Sequence, residues 1–238
     1  KLLDKLKEFD TGKIPWDKIN GRTKKASEML WKLSDKLREE KDKAEQQKTE
    51  SEQGRQRSLS EKFGSDIHYL YEAQKELRYF EQISSSTKAK LSNSPFLLLT
   101  GLAGTGKTHL LCDVVEERIA SKKSFPAILV FGELFETSED PFVQIIRQLG
   151  LQIDKNQFFR LLNNASKQSG CRAIIAIDAL NETRQKRFWK GNLGKVIEEV
   201  KKYPNIALVV SVRTGFEEEV ATKKIRKILV HEEHRGFE

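Results

Sequence analysis

Hydrophobic and polar positions change rhythm near residue 93. Upstream, apolar residues recur three and four apart within long polar stretches. Leu30, Leu33 and Leu37 fall on one helix face, and Ile67, Leu70, Tyr71, Leu77 and Phe80 make a second, fuller stripe. Leu2, Leu3 and Leu6 open the chain in the same helical manner. Between the stripes, Glu39 to Ser60 is almost wholly polar and reads either as an exposed helix or as a mobile linker. The tracts Ser84-Ser85-Ser86-Thr87 and Asn93-Ser94-Pro95 then interrupt the pattern.

From residue 96 short apolar runs alternate with amphipathic stretches. Phe96 to Leu99, Ala127 to Phe131, Ala173 to Ile177 and Ile206 to Ser211 read as strands, and Lys227 to Val230 is a candidate fifth. Helices are predicted from Lys107 to Ser121, Pro141 to Leu149 and Asn156 to Ser169, with another ending near Tyr203. Continuous apolar strands separated by helices predict an α/β fold with a mostly parallel sheet covered by helices. The expected division is a helical lead-in and polar linker over 1–92 and an α/β domain over 93–238.

Composition adds little to this and contradicts none of it. The 238 residues are 37% hydrophobic and 33% charged, enough for one buried core plus a good deal of solvated helix. The formal net charge of +8 admits a polyanion partner. Yet Lys and Arg are interleaved with Asp and Glu, as in Lys36-Leu37-Arg38-Glu39-Glu40-Lys41-Asp42, which suits a solvated helix face better than a nucleic-acid stripe. Nucleic-acid binding therefore stays open. Cys112 and Cys171 sit in apolar sequence without metal spacing, so core thiols in a reduced, cytoplasmic protein are expected. No apolar run approaches the ~20 residues of a membrane span. The chain begins without Met and without a signal peptide, and reads as a piece of a larger protein.

The chemistry begins at Gly101-Leu102-Ala103-Gly104-Thr105-Gly106-Lys107-Thr108, which fits GxxxxGK[ST] at every position. Glycines permit positive φ and let backbone N–H groups wrap phosphates. The following helix aims its positive end at the same place. Lys107 is expected to reach the β- and γ-phosphates of ATP or GTP, and Thr108 to give a hydroxyl to Mg²⁺. A chain this long matches the pattern by chance roughly once in a hundred, and the required strand before and helix after are both present. The nucleotide-contacting segment is expected to run from Gly101 through His109. As metal ligands, His109, His231 and His234 have no suitable spacing.

Two strand ends complete the candidate site. The third strand leaves through Ile177-Asp178-Ala179-Leu180-Asn181-Glu182. An aspartate there lies where open α/β sheets place their ligand crevice, and is expected to hold Mg²⁺ directly or through water. Glu182 is the candidate for orienting or deprotonating an attacking water. Arg213, ending the fourth strand, is the candidate contact to the γ-phosphate. Lys107, Glu182 and Arg213 are thus the expected catalytic set. Trp189, beside Phe188, suits a packing anchor better than a base-stacking platform.

Taken together, GLAGTGKTHLL, IDALNE and YPNIALVVSVR resemble the STAND NTPases, the signal-transduction ATPases with numerous domains, and in particular their bacterial antiviral members. The FGELF segment, the Gly150-Leu151 pair after a short helix and Trp189 belong to the same likeness, and DALNE is the counterpart of the Asp-Gly-Leu-Asp-Glu form of NACHT domains. The resemblance covers roughly residues 93–238. It implies a P-loop NTPase core with strand order 5-1-4-3-2, ATP rather than GTP, and a slow, regulated ATPase. It further implies a switch between resting monomer and self-associated oligomer that activates an effector after a C-terminal region senses a viral protein. Effector and sensor are expected to lie outside this chain.

Two other classes share the phosphate loop. A small-molecule kinase would use an arginine-rich lid, for which Arg184 and Arg187 give a thin version. An AAA+-type nucleic-acid ATPase would carry a basic pore loop with an aromatic, and no such loop stands out. The guanine-reading Asn-Lys-x-Asp element does not occur.

Overall fold

The computed structural model describes residues 13–46, 53–121 and 125–236, with side chains over 13–43, 63–121 and 125–236. The chain forms two compact units, Lys1–Asn93 and Ser94–Glu238. The opening leucines and the centre of the polar stretch, residues 47–52, lie outside the described residues.

In the first unit, helix α1 (Trp16–Gln46) packs along α2 (Gln53–Ser85), and a short α3 (Thr87–Asn93) follows. Ser84 Oγ donates to Asn20 Oδ1 at 2.5 Å, so the end of α2 lies beside the start of α1 and the two helices run antiparallel. Asn93 closes the unit: its Oδ1 accepts from Ile14 N and its Nδ2 donates to Ile14 O, both at 2.7 Å.

The seam departs from the expected stripes. Leu30 and Leu37 are half-buried as predicted, but the third position of the face is Ser34, 4% exposed, whereas Leu33 is 46% exposed. On α2, Ile67, Leu70 and Leu77 keep to the half-buried face while Tyr71 and Phe80 face out. Thr23, Ser34, Gln74 and Ser84 fill the buried positions instead. Buried polar groups need partners, and Thr23 Oγ1 finds one on Ile19 O at 3.0 Å.

The second unit is built on a five-stranded sheet in the order β2-β3-β4-β1-β5, which is 5-1-4-3-2 read from the other edge. The strands are β1 (Phe96–Gly101), β2 (Ala127–Phe131), β3 (Ala173–Asp178), β4 (Ile206–Arg213) and β5 (Val230–Glu233), and every pairing is parallel. Parallel neighbours require crossovers, supplied by α4 (Lys107–Ala120), α5 (Pro141–Gln148), α6 (Lys155–Ser169), α7 (Phe188–Lys201), α8 (Glu217–Val220) and α9 (Lys223–Arg226). The architecture is α/β, a five-stranded parallel sheet flanked by helices.

Local sequence sets the helix ends. Asp140 caps α5 by accepting from Phe142 N, with Pro141 in the first turn where its missing N–H costs nothing. Asp154 and Gln157 form a capping box on α6, and Gly170 closes that helix at φ 67°. Behind the sheet, Phe142 meets Phe159 edge-on at 4.6 Å, and Phe159 stacks on Tyr203 at 4.7 Å.

Two expectations are corrected. The fifth strand is Val230–Glu233 rather than Lys227–Val230, because Lys227 closes α9 and Leu229, 6% exposed, is drawn into the core as the lead-in. As an edge strand, paired with β1 alone, it tolerates the polar sequence Val-His-Glu-Glu. The thiols are half-buried rather than core groups, and Cys171 Sγ accepts from both Nη atoms of Arg118 at 3.6 Å. No helix among the described residues is long and apolar enough to cross a membrane.

Candidate functional site

Every expected site residue lies at the C-terminal edge of the sheet. Gly101 and Arg213 are register partners across β1 and β4, and Asp178 is paired with Phe131 across β3 and β2. Crevices that bind ligands in open α/β sheets form at this edge.

The loop from Gly101 to Gly106 turns back on itself through Gly104 at φ 77° and Gly106 at φ 87°, both left-handed positions that favour glycine. Lys107 then opens α4. Its Nζ donates to Gly101 O at 2.9 Å and Leu102 O at 2.8 Å, so two of the three ammonium donors brace the loop. At Gly101 a side chain would not fit: a Cβ would lie 2.5 Å from His234 O, where the chain leaving β5 crosses the loop. His234 N donates to Thr100 O at 2.7 Å, and Thr100 Oγ1 is hydrogen-bonded to His231 Nε2 at 2.7 Å. His231 and His234 thus brace the phosphate-loop strand. His109 is exposed on the first turn of α4.

Asp178 is 2% exposed, and both its oxygens are engaged. Thr108 Oγ1 donates to Oδ2 at 2.6 Å, and Ser211 Oγ donates to Oδ1. A buried carboxylate needs such partners, since an unsatisfied one is costly. The two oxygens meeting at Oδ2 are hard donors of the kind Mg²⁺ takes. Among the described residues no group of three or more His, Cys, Asp or Glu that could hold a metal ion comes together. An ion here would therefore rest on one carboxylate, one hydroxyl and the nucleotide's own phosphates, the usual arrangement for Mg²⁺. The phosphate loop, with its two left-handed glycines and Lys107, fits a nucleotide in the same way.

Asp178, Glu182 and Arg213 all act electrostatically on Lys107. Burial is the largest influence and pushes its ammonium below the ordinary value of 10.5. Asp178 opposes this, Arg213 adds to it and Glu182 opposes it. The four groups named on three separate segments are thereby brought into one field.

The turn carrying Glu182 is built with some strain. Ala179 adopts φ 52°, ψ 55°, a left-handed conformation uncommon for a residue with a Cβ, and a 3₁₀ turn spans Leu180–Glu182. Glu182 is exposed on it, as is Arg213 at the end of β4. The Arg213 guanidinium lies over the Phe216 ring at 5.8 Å.

Sequence reasoning missed the groups that hold this turn. Ala179 N donates to Ser211 Oγ at 2.8 Å, and Arg213 N donates to Asn181 Oδ1 at 2.9 Å. Thr183 Oγ1 donates to Gly132 O at 2.9 Å and accepts from Trp189 Nε1 at 2.7 Å. A Cβ at Gly132 would fall 2.2 Å from Ala179 O, so the FGELF glycine is there for close approach to the turn. Trp189 is 1% exposed and meets the fully buried Phe135 edge-on at 4.7 Å, a packing anchor with one polar task. The available signal was Ser211, a hydroxyl inside the run Val209-Val210-Ser211-Val212.

No family model matches the chain, and no curated protein matches it. Solved structures do. Cdc6p from Pyrobaculum aerophilum is 17% identical, with TM-score 0.41, over 58% of this chain and 38% of that one. C. elegans PCH-2 is 16% identical, with TM-score 0.37, over 65% and 38%. AMPPCP-bound DnaA from Aquifex aeolicus is 17% identical, with TM-score 0.36, over 64% and 45%. The chain thus spans less than half the length of each. Likeness at this level carries no argument about function.

Proposed function

We propose that residues 94–236 form a Mg²⁺-dependent ATP-binding and hydrolysing switch module. The observation that carries this reading is the contact of Thr108 with Asp178 directly behind the phosphate loop. It places a hydroxyl and a carboxylate where the fold puts its ligand crevice, beside a lysine already braced by loop carbonyls.

In this reading, backbone N–H groups of the loop and the start of α4 bind the phosphates, and Lys107 adds a fixed positive charge. Thr108 and Asp178 would hold Mg²⁺, which would supply neutralisation of phosphate charge. Glu182 orients the attacking water, and Arg213 leaves the Phe216 ring to contact the terminal phosphate. A cation that reports the terminal phosphate suits a switch more than a rapid catalyst.

The larger setting rests on the resemblance of GLAGTGKTHLL, IDALNE and YPNIALVVSVR to bacterial antiviral STAND proteins. It makes the module one part of a multidomain cytoplasmic protein. There ATP gates self-association, and a viral protein sensed elsewhere in the protein releases an effector. Of the two arginines that a kinase lid would use, Arg184 is paired with Glu136 at 2.8 Å in an exposed ion pair.

Calorimetry of ATP and ADP binding with Mg²⁺ and with EDTA tests the core of the proposal. Tighter ATP binding with Mg²⁺, and phosphate release abolished by EDTA, are expected. No binding of either nucleotide by the folded chain would overturn it.

A further inference from the structure

The hydroxyl of Ser211 stands between two parts of the site that have different tasks. It is wholly buried, on a strand whose neighbours Val210 and Val212 are 0% exposed, so it lies where an apolar residue would pack with less penalty. Both of its hydrogen-bonding roles are taken. Its single O–H donates to Asp178 Oδ1, and its oxygen accepts the Ala179 N–H at 2.8 Å. The two contacts are coupled, because accepting from the amide makes the hydroxyl a better donor to the carboxylate.

Two consequences follow from this geometry. With Oδ1 tied to Ser211, the carboxylate of Asp178 has its rotation fixed and presents Oδ2 to Thr108 at 2.6 Å. With its N–H tied to the same oxygen, Ala179 is held in the left-handed conformation that opens the turn to Glu182. That tie, together with the contacts of Asn181 and Thr183, keeps a residue bearing a Cβ in a conformation it would otherwise avoid.

We infer that Ser211 is a positioning residue that fixes the metal-facing carboxylate of Asp178 and the Ala179–Glu182 turn to one another, so that metal binding and water orientation are set by one hydroxyl. The inference rests on the Mg²⁺-ATP reading above and extends it to the support behind the site. Ser211 touches neither the nucleotide nor the metal, and acts through Asp178 and Ala179.

The test uses the whole chain with Ser211→Ala, Ser211→Cys and Ser211→Thr. Cysteine fills nearly the same space as serine but is a weak donor and acceptor, while threonine keeps the hydroxyl. The readout is the ratio of ATP affinity with Mg²⁺ to that with EDTA, together with turnover. Removing a partner that orients a metal ligand costs on the order of tenfold or more in metal-dependent affinity. Ser211→Ala and Ser211→Cys should lose the Mg²⁺-dependent gain by that factor and leave metal-free affinity within about twofold. Ser211→Thr should restore most of the gain. Cysteine keeps the comparison intact should the alanine variant fail to fold. A cysteine variant with the parental ratio and turnover would overturn the assignment, since packing alone would then suffice. Equal losses with and without Mg²⁺ would also overturn it. A parent chain with no Mg²⁺-dependent gain would instead remove the metal part of the Mg²⁺-ATP reading, and the role of Ser211 with it.

Discussion

Thr108 and Asp178, 70 residues apart in sequence, meet through a 2.6 Å hydrogen bond from the threonine hydroxyl to a carboxylate oxygen. The bond joins the first turn of α4 to the end of β3, and so joins the phosphate loop to the acidic strand end. Both side chains supply hard oxygen, and the bond also satisfies a carboxylate that is 2% exposed.

Asp178→Ala should therefore weaken ATP binding in Mg²⁺ by about tenfold or more, and metal-free binding much less, because the carboxylate acts through the ion. It also leaves the Thr108 and Ser211 hydroxyls without their acceptor, so some loss of thermal stability should accompany it. Calorimetry with and without EDTA separates the two effects. An equal loss in both conditions would make Asp178 structural.

Lys107 gives a prediction in pH. Burial lowers its pKa below 10.5, with Arg213 adding to the shift and Asp178 and Glu182 opposing it. A lysine with a lowered pKa sheds its proton earlier as pH rises, and the neutral amine loses its charge-assisted bonds to phosphate. ATP affinity should accordingly be flat near neutrality and fall on the alkaline side before pH 10.5 is reached. Lys107→Ala should bind roughly tenfold or more weakly near neutrality and lose the alkaline fall. A variant that keeps the same alkaline profile would show that another group produces it.

Much of this site was legible because its parts are local. The phosphate loop is one contiguous segment, and Asp178 and Arg213 each end an apolar strand, so position in the strand pattern located them. What supports them was not legible, because the supporting contacts cross between strands. The link from Ser211 to Asp178 spans β4 and β3, and that from Thr183 to Gly132 joins segments 51 residues apart. In the helical unit the difficulty was different. Leu33 and Ser34 are adjacent, and hydropathy favours the leucine, but it is the serine that the helix pair buries. The polar edge strand β5 shows the same limit, since its place comes from pairing with β1 rather than from burial.

Ala179 offers a test of strain. Its left-handed conformation costs about 1–2 kcal/mol for a residue with a Cβ, and glycine removes that cost. Glycine also makes the unfolded chain more flexible, which offsets about 0.5–1 kcal/mol. Ala179→Gly should thus raise the melting temperature, by up to about 6 °C. A fall in melting temperature would show that the Ala179 methyl packs more than the backbone strains.

Glu182 and Arg213 separate holding ATP from splitting it. Glu182 is exposed on a turn clamped at Ala179, Asn181 and Thr183, so its backbone is fixed while its side chain remains available to solvent and substrate. Its carboxylate bears on Lys107, which places it in the field of the phosphate loop. Glu182→Gln keeps the shape and the hydrogen-bonding reach but loses the charge needed to draw a proton from water. Hydrolysis should fall by on the order of a hundredfold while ATP affinity stays within a few-fold. Arg213→Ala should behave otherwise. Its guanidinium rests over Phe216, and its loss removes the cation proposed to contact the terminal phosphate. Turnover should fall, and the preference for ATP over ADP should shrink as well. If the terminal phosphate drives self-association as proposed, Glu182→Gln should dwell in the ATP-bound, self-associated form, whereas Arg213→Ala should not reach it. Phosphate release, ATP/ADP affinity ratios and light scattering on both variants decide the matter. A Glu182→Gln chain that hydrolyses ATP at the parental rate would place the water-orienting carboxylate elsewhere, and an Arg213→Ala chain with the parental ATP/ADP ratio would remove Arg213 from the phosphate contact.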